Sequence, residues 1–150
     1  MEVIQNKFLF SLPFLFGTRF THVLQRGPFD CVIASLAMYL GRTYEDVLVY
    51  SPPITGHGLT PDQANEIAMY FGVTLVLSTP GQPWDFSKAI LIVPNGIGGL
   101  HALYCDGTLV YDPLGPVSTV DSLSKFNGQF YVLNEPHKSF WTEMKDWVFK

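Results

Sequence analysis

The order of signals along this 150-residue chain predicts an α+β fold, with N-terminal helices packed on a C-terminal antiparallel sheet. Apolar residues recur at helical spacing up to Gly72, whereas short β-branched and aromatic runs dominate after it. Two of those runs, His101 to Cys105 and Thr108 to Asp112, are separated by Asp106-Gly107, a dipeptide suited to a tight hairpin turn.

Taken in order, the first helix is expected from Cys31 to Gly41, an almost uninterrupted apolar segment whose closing glycine can take the left-handed C-terminal conformation. A short second helix is expected from Tyr44 to about Val49, stopped by Ser51-Pro52-Pro53. The third opens with Thr60-Pro61-Asp62-Gln63, a capping box with proline in the first turn. Its apolar stripe is Ala64, Ile67, Ala68 and Phe71, and Gly72 ends it. Strands are expected at Val73 to Leu77, Ala89 to Val93, His101 to Cys105, Thr108 to Asp112 and Gln129 to Leu133. The tail from Ser139 to Lys150 carries Phe140, Met144, Trp147 and Val148 at helical spacing. It is expected to form an amphipathic helix that packs back on the domain, the alternative being a detachable helix that binds a partner.

Cys31 begins an apolar helix. Unpaired N–H groups and the positive end of the helix dipole favour a thiolate at that position, and the thiolate is the nucleophile. The same N–H groups point to where an oxyanion forms when sulfur attacks a carbonyl, and Gln25, six residues earlier, can supply a second donor. A two-residue turn at Asp106-Gly107 sets Cys105 opposite Thr108, Leu103 opposite Val110 and His101 opposite Asp112. An aspartate so placed accepts the imidazole N–H and stabilises the imidazolium. Cys105, on the same hairpin face, is expected to pack in the core. Asp30 reads either as a helix N-cap or as part of the site, and Asp112-Pro113 either as a turn or as part of it.

These motifs resemble the papain-like cysteine peptidases, and most closely the double-glycine-leader peptidases that process bacteriocin precursors, with their stand-alone relatives. Residues Val23 to Gly41 resemble that family's opening motif, an oxyanion glutamine followed by Asp-Cys and a helix rich in small residues. His101 and Asp112-Pro113-Leu114-Gly115 resemble its later His and Asp-Pro-x-Gly elements. The likeness spans about residues 20–133. It implies a papain-like fold and a catalytic set of Cys31 as nucleophile, His101 as base and acid, Asp112 as orienter and Gln25 as oxyanion-hole donor. It also implies cleavage after small residues. The chain departs from the family in having Val32-Ile33 where Gly-Pro usually follows the cysteine, and in a shorter spacing from His101 to Asp112. A β-branched residue beside the sulfur is expected to narrow access. The resemblance therefore carries an alternative of a different class, a papain-fold module without turnover that serves as an interaction subunit of a larger assembly. Acyl transfer to an acceptor other than water lies between the two.

Asn95 to Gly99 is a glycine-rich loop just before His101. It reads equally as a flexible connection and as a place where Gly98, Gly99 and Leu100 let an extended substrate backbone approach. It leads into a strand and lacks a Lys-Ser/Thr ending, so it is no phosphate cradle. A zinc site is the competing chemistry, but no CxxC, HxxxH or HExxH spacing occurs, and His22, His57 and His137 fall where solvated histidine is the default. No Gly-x-Ser-x-Gly elbow is present. No cofactor and no metal are implied.

The length suits one domain over residues 1–150. Charged residues form only 15% of the chain against 47% hydrophobic, so some apolar surface is expected to remain exposed for a partner, the aromatic-rich termini being the first choice. A net charge of −4 with no Lys/Arg cluster excludes the electrostatic footprint of a nucleic-acid binder. Two cysteines make no disulfide framework. The apolar run from Phe8 to Phe16 is preceded by Glu2, interrupted by Pro13 and too short to span a bilayer, so it reads as an edge strand or a partner-facing segment. Together these lead to the expectation of a cytoplasmic protein whose partner is a peptide or protein substrate.

Overall fold

The computed structural model describes residues 20–80 and 87–136. The apolar segment from Phe8 to Phe16, the tail from Ser139 to Lys150 and His137 lie outside the described residues, and so do the expectations placed on them. Helices α1 (Cys31–Leu40), α2 (Tyr44–Leu48) and α3 (Pro61–Met69) precede strands β1 (Val76–Ser78), β2 (Ala89–Pro94), β3 (Leu100–Cys105), β4 (Leu109–Tyr111) and β5 (Val117–Thr119). A 3₁₀ helix (Val120–Phe126) and β6 (Tyr131–Asn134) follow. The strands form one antiparallel sheet in the order β1-β6-β2-β3-β4-β5, so the expected mixed architecture of helices and antiparallel sheet is present. Among the described residues no helix is long and apolar enough to cross a membrane.

The helix α1 is buried all round because it is sandwiched between the sheet, chiefly β3, and the other two helices. Every residue from Val32 to Tyr39 is buried. Gly41 takes φ +67°, and the Arg42 N–H returns to the Ala37 carbonyl at 2.9 Å, which satisfies a carbonyl the helix end would otherwise leave open. Ile33 and Leu36 interdigitate in this layer with Ile90, Ile92, Ala102 and Tyr104 of the sheet. Truncating the fully buried Leu36 to alanine is expected to destabilise the domain by about 3 kcal/mol, read from the midpoint of urea denaturation.

The opposite face of the sheet is also covered at its centre. Ala89, Leu91, Val93, Leu103 and Cys105 point there and pack under Leu123, Phe126 and Phe130, from the 3₁₀ helix and the segment after it. Coverage on both faces explains why β2 reads as a continuous apolar run rather than an alternation. Cys105 is fully buried in this second cluster, the packing role expected of it.

The helix α3 carries the capping box in full: Thr60 Oγ1 accepts from the Gln63 N–H, and Gln63 Oε1 accepts from the Thr60 N–H. Thr43 and Asp46 make a second, unexpected capping box on α2. The first strand begins at Val76, three residues later than expected. The Val73 N–H is committed to the Ala68 carbonyl, closing α3 around Gly72, and the Leu75 N–H goes to Asn65 Oδ1 at 2.7 Å. These donors are thereby taken from any ladder. β6 likewise starts at Tyr131 rather than Gln129, because the Gln129 N–H bonds the Phe126 carbonyl.

The hairpin register differs from the expected one by two residues. Tyr104 pairs with Tyr111 and Cys105 with Val110, and the loop closes through the Asp106 N–H and the Leu109 carbonyl around Gly107-Thr108, with Gly107 at φ +105°. The reason lies in Asp106, whose Oδ1 accepts the N–H groups of Thr108 and Leu109, each at 2.8 Å. That arrangement places the aspartate before the turn rather than inside it. His101 and Asp112 are consequently not directly opposite. Continuing the observed register brings Asp112 level with Leu103, two residues along from His101, and a displacement of two keeps both on one face.

Candidate active site

Cys31 is the first residue of α1 and is partly exposed. Helix geometry leaves its N–H and those of Val32 and Ile33 outside the intrahelical ladder, since the first intrahelical bond runs from Ala34 N–H to the Asp30 carbonyl. The expected narrowing by Val32 does not occur: its side chain is buried in the helix-side core, so the branched carbons point away from solvent. Ile33 is likewise buried.

His101 comes from the start of β3, paired with Val93. Its Nε2 lies 2.7 Å from Asp112 Oδ1, with the imidazole only 16% exposed. One ring nitrogen being taken by the carboxylate, Nδ1 is left for Cys31. The imidazole pKa is raised from 6.5 to about 9, first by its hydrogen bond with the Cys31 side chain. Burial opposes this, and the Asp112 hydrogen bond together with the charges of Cys31 and Asp112 adds to it. The three side chains thus favour an imidazolium held between a sulfur and a carboxylate.

Asp112 is fixed by its own turn. The Gly115 N–H donates to the Asp112 carbonyl at 2.8 Å, the Leu114 N–H donates to Oδ1 at 2.8 Å, and the Asp112 N–H donates to the Pro116 carbonyl at 2.9 Å. Gly115 sits at φ +130°, a conformation that suits glycine and accounts for the last residue of the Asp-Pro-x-Gly motif. The segment before α1 buttresses this turn. His22 Nε2 donates to the Asp112 carbonyl at 2.9 Å, and the Gln25 N–H donates to the Pro113 carbonyl at 2.9 Å. His22 was expected to be a solvated loop histidine. It is instead half-buried, edge-on to Tyr111, and no local signal distinguishes it.

Gln25 lines the same cleft as Cys31, His101 and Asp112. Its Nε2 donates to the Gly27 carbonyl at 2.6 Å, and its buried Oε1 has no partner among the described residues. Asp30 does not cap α1. Its carboxylate turns back to accept the N–H groups of Arg26 and Gly27, at 2.8 and 2.9 Å, and the Tyr44 hydroxyl at 2.6 Å. Burial acts to raise the Asp30 pKa and is outweighed by these hydrogen bonds, which hold it below its ordinary value.

The cleft has a volume of about 910 Å³, room for a segment of extended peptide. One wall is Gln25 to Pro28 beside Cys31. The β2–β3 loop contributes Asn95, Gly96 and Ile97, β3 contributes Leu100 at its start, and Lys125 and Phe126 lie at the end of the 3₁₀ helix. Gly98 and Gly99, expected at the substrate surface, do not line it, whereas Leu100 does. The loop is ordered by Asn95, whose Oδ1 accepts the N–H groups of Ile97 and Gly99, each at 2.9 Å. A Cβ at Gly99 would stand 2.8 Å from Asn95 Nδ2, so this glycine makes room for the asparagine. Among the described residues no group of three or more His, Cys, Asp and Glu side chains is arranged to hold a metal ion.

Compared with known proteins, the chain matches no family model and no curated protein sequence.

Proposed function

We propose that this protein is a cysteine peptidase of papain-like fold, acting through Cys31, His101 and Asp112 with Gln25 as an oxyanion-hole donor. The observation that carries this reading is the arrival of Cys31 and His101, seventy residues apart in sequence, at one open cleft where Asp112 holds the imidazole Nε2 at 2.7 Å. In this reading the Cys31 thiolate attacks a peptide carbonyl carbon, and the negative charge on the carbonyl oxygen is met by the Cys31 N–H and the Gln25 amide. The carbon–nitrogen bond breaks as His101 Nδ1–H protonates the leaving amine. Water then attacks the thioester with His101 taking its proton, which releases the carboxylic acid and restores the thiolate–imidazolium pair. A preference for small residues at the cleavage position rests on the resemblance of residues 23–41 to the double-glycine-leader peptidases. The partner is therefore a peptide or protein substrate, and no cofactor enters the steps.

The test is covalent labelling. A peptide chloromethyl ketone with glycine next to the reactive group is expected to modify Cys31 stoichiometrically near neutral pH, read by intact mass and peptide mapping. His101→Ala should slow the labelling about 100-fold. Labelling of Cys31 that is slow and indifferent to His101→Ala would favour the papain-fold module without turnover.

A further inference from the structure

The carboxylate of Asp30 stands immediately before the nucleophile yet serves neither of the ordinary purposes of an aspartate at that position. It makes no side-chain bond to α1, and its backbone ψ of 24° is not that of a helix cap. Instead it is 4% exposed and gathers three donors from the chain around it: the Arg26 and Gly27 N–H groups and the Tyr44 hydroxyl. Tyr44 is the first residue of α2, so the carboxylate ties the loop before α1 to a second helix. The guanidinium of Arg26 lies over the Tyr44 ring at 4.1 Å and closes the cluster on its outer side.

The consequence falls on Gln25. Its Nε2 donates to the carbonyl of Gly27, the residue whose N–H Asp30 holds. An amide nitrogen carries two hydrogens, so one is fixed on Gly27 and the other remains for a ligand in the cleft that Gln25 lines. Because Asp30 is turned away from α1, it leaves the N–H groups of Cys31, Val32 and Ile33 unclaimed and holds its charge on the loop.

We propose that Asp30 is a positioning residue for the oxyanion hole: anchored by Tyr44, it fixes the Arg26–Gly27 backbone so that the Gly27 carbonyl sets the Gln25 amide. This inference rests on the peptidase reading, and it assigns a role to a side chain that does not touch the reacting atoms. A preorganised donor acts because its orientation is settled before charge develops, and a side chain with several rotatable bonds loses that advantage once its anchor is removed.

The experiment pairs turnover with alkylation, using the p-nitrophenyl ester of an N-blocked Gly-Gly dipeptide and iodoacetamide. Ester hydrolysis passes through an oxyanion. Displacement of iodide by the thiolate at a saturated carbon does not, so alkylation reads the nucleophile alone. Asp30→Asn presents an amide nitrogen to one of the three donors and is expected to lower kcat for the ester about 100-fold, with iodoacetamide labelling of Cys31 changed by less than about threefold. In a Gln25→Ala background the same substitution should cost less than about threefold, because the group it positions is already gone. Tyr44→Phe removes one anchor of three and is expected to cost about tenfold, again only where Gln25 is present. It serves in place of Asp30→Asn should that variant fail to fold by circular dichroism. Equal losses with and without Gln25 overturn the proposal in favour of a purely structural role. So does a fall in alkylation that matches the fall in kcat. If the parent protein shows no ester turnover beyond that of Cys31→Ala, the peptidase reading itself fails and the positioning role goes with it.

Discussion

Under the proposed peptidase mechanism, Cys31→Ala is expected to bring peptide cleavage down to the uncatalysed background while leaving the protein folded, a loss of about 10⁴-fold or more. The size of the effect follows from the chemistry, since no other described thiol can take over. Cys105, the second cysteine, is fully buried, and burial raises its pKa, disfavouring the thiolate. The structural cost is small because Cys31 is partly exposed and only borders the helix-side core, so removing the sulfur is expected to cost about 1 kcal/mol or less. His101→Ala should be comparably inactive, since in the proposed mechanism it removes both the partner of the sulfur and the acid for the leaving amine. The double variant should be no worse than either single one, the mark of groups acting as a unit. Cleavage assays on the three variants, with thermal melts by circular dichroism, decide the matter. Retained cleavage in Cys31→Ala sinks the mechanism outright.

The features legible in the sequence were those set by neighbours within a turn or two. Gly41 closes α1 and the Thr60–Gln63 box opens α3 because each signal is complete in four or five residues. The meeting of His101 and Asp112 was also anticipated, although by the wrong pairing. The sequence pattern places the turn on Asp106-Gly107, whereas the Asp106 side chain binds the backbone beyond it and moves the turn to Gly107-Thr108. The expectation survived because the error amounts to two residues, which preserves the face; an error of one would have parted the pair. β5 gives no sequence signal because Val117–Thr119 is a short, wholly exposed edge with no alternation to detect, and in the 3₁₀ helix after it the apolar Val120, Leu123 and Phe126 recur every three residues over only seven, a spacing other than the α-helical one.

The site's supports were illegible for a different reason. Asp30 reads in the sequence as an N-cap or as part of the site, and only the folded chain brings the Tyr44 hydroxyl to 2.6 Å from it. His22 has no motif around it. Its contact with the Asp112 carbonyl spans ninety residues and exists because the segment before α1 runs beside the turn after β4. The close fit of Gly99 against the Asn95 side chain is likewise a product of the folded loop that its glycine-rich composition does not reveal. Local patterns specify caps and turns, whereas the buttressing of a site depends on which loops the packing brings together.

The alkaline limb of the pH–rate profile is expected near pH 9 and should move to lower pH in Asp112→Asn. His101 has its pKa raised from 6.5 to about 9, with the Cys31 hydrogen bond as the largest cause and the Asp112 hydrogen bond and charge contributing further. Acylation of an amide substrate needs the imidazolium as proton donor, so activity falls as pH rises through that value. The same shift has a consequence for stability. A histidine whose folded pKa lies above its unfolded one stabilises the fold fully below pH 6.5, and that contribution is lost as pH rises through about 9. The melting temperature should therefore decline across this window, and it should decline less in Asp112→Asn. That variant retains an Oδ1 able to accept the His101 Nε2–H and the Leu114 N–H, so the ring keeps its orientation and loses only the adjacent negative charge. Turnover at its optimum should accordingly fall by about tenfold, far less than in Cys31→Ala. Measuring kcat/KM from pH 5 to 10 in both proteins, with melts at the same pH values, separates orientation from charge. A limb that stays at the same pH in Asp112→Asn would mean that the carboxylate charge does not act on His101. Complete inactivity in a folded Asp112→Asn protein would give Asp112 a part in the proton transfers themselves.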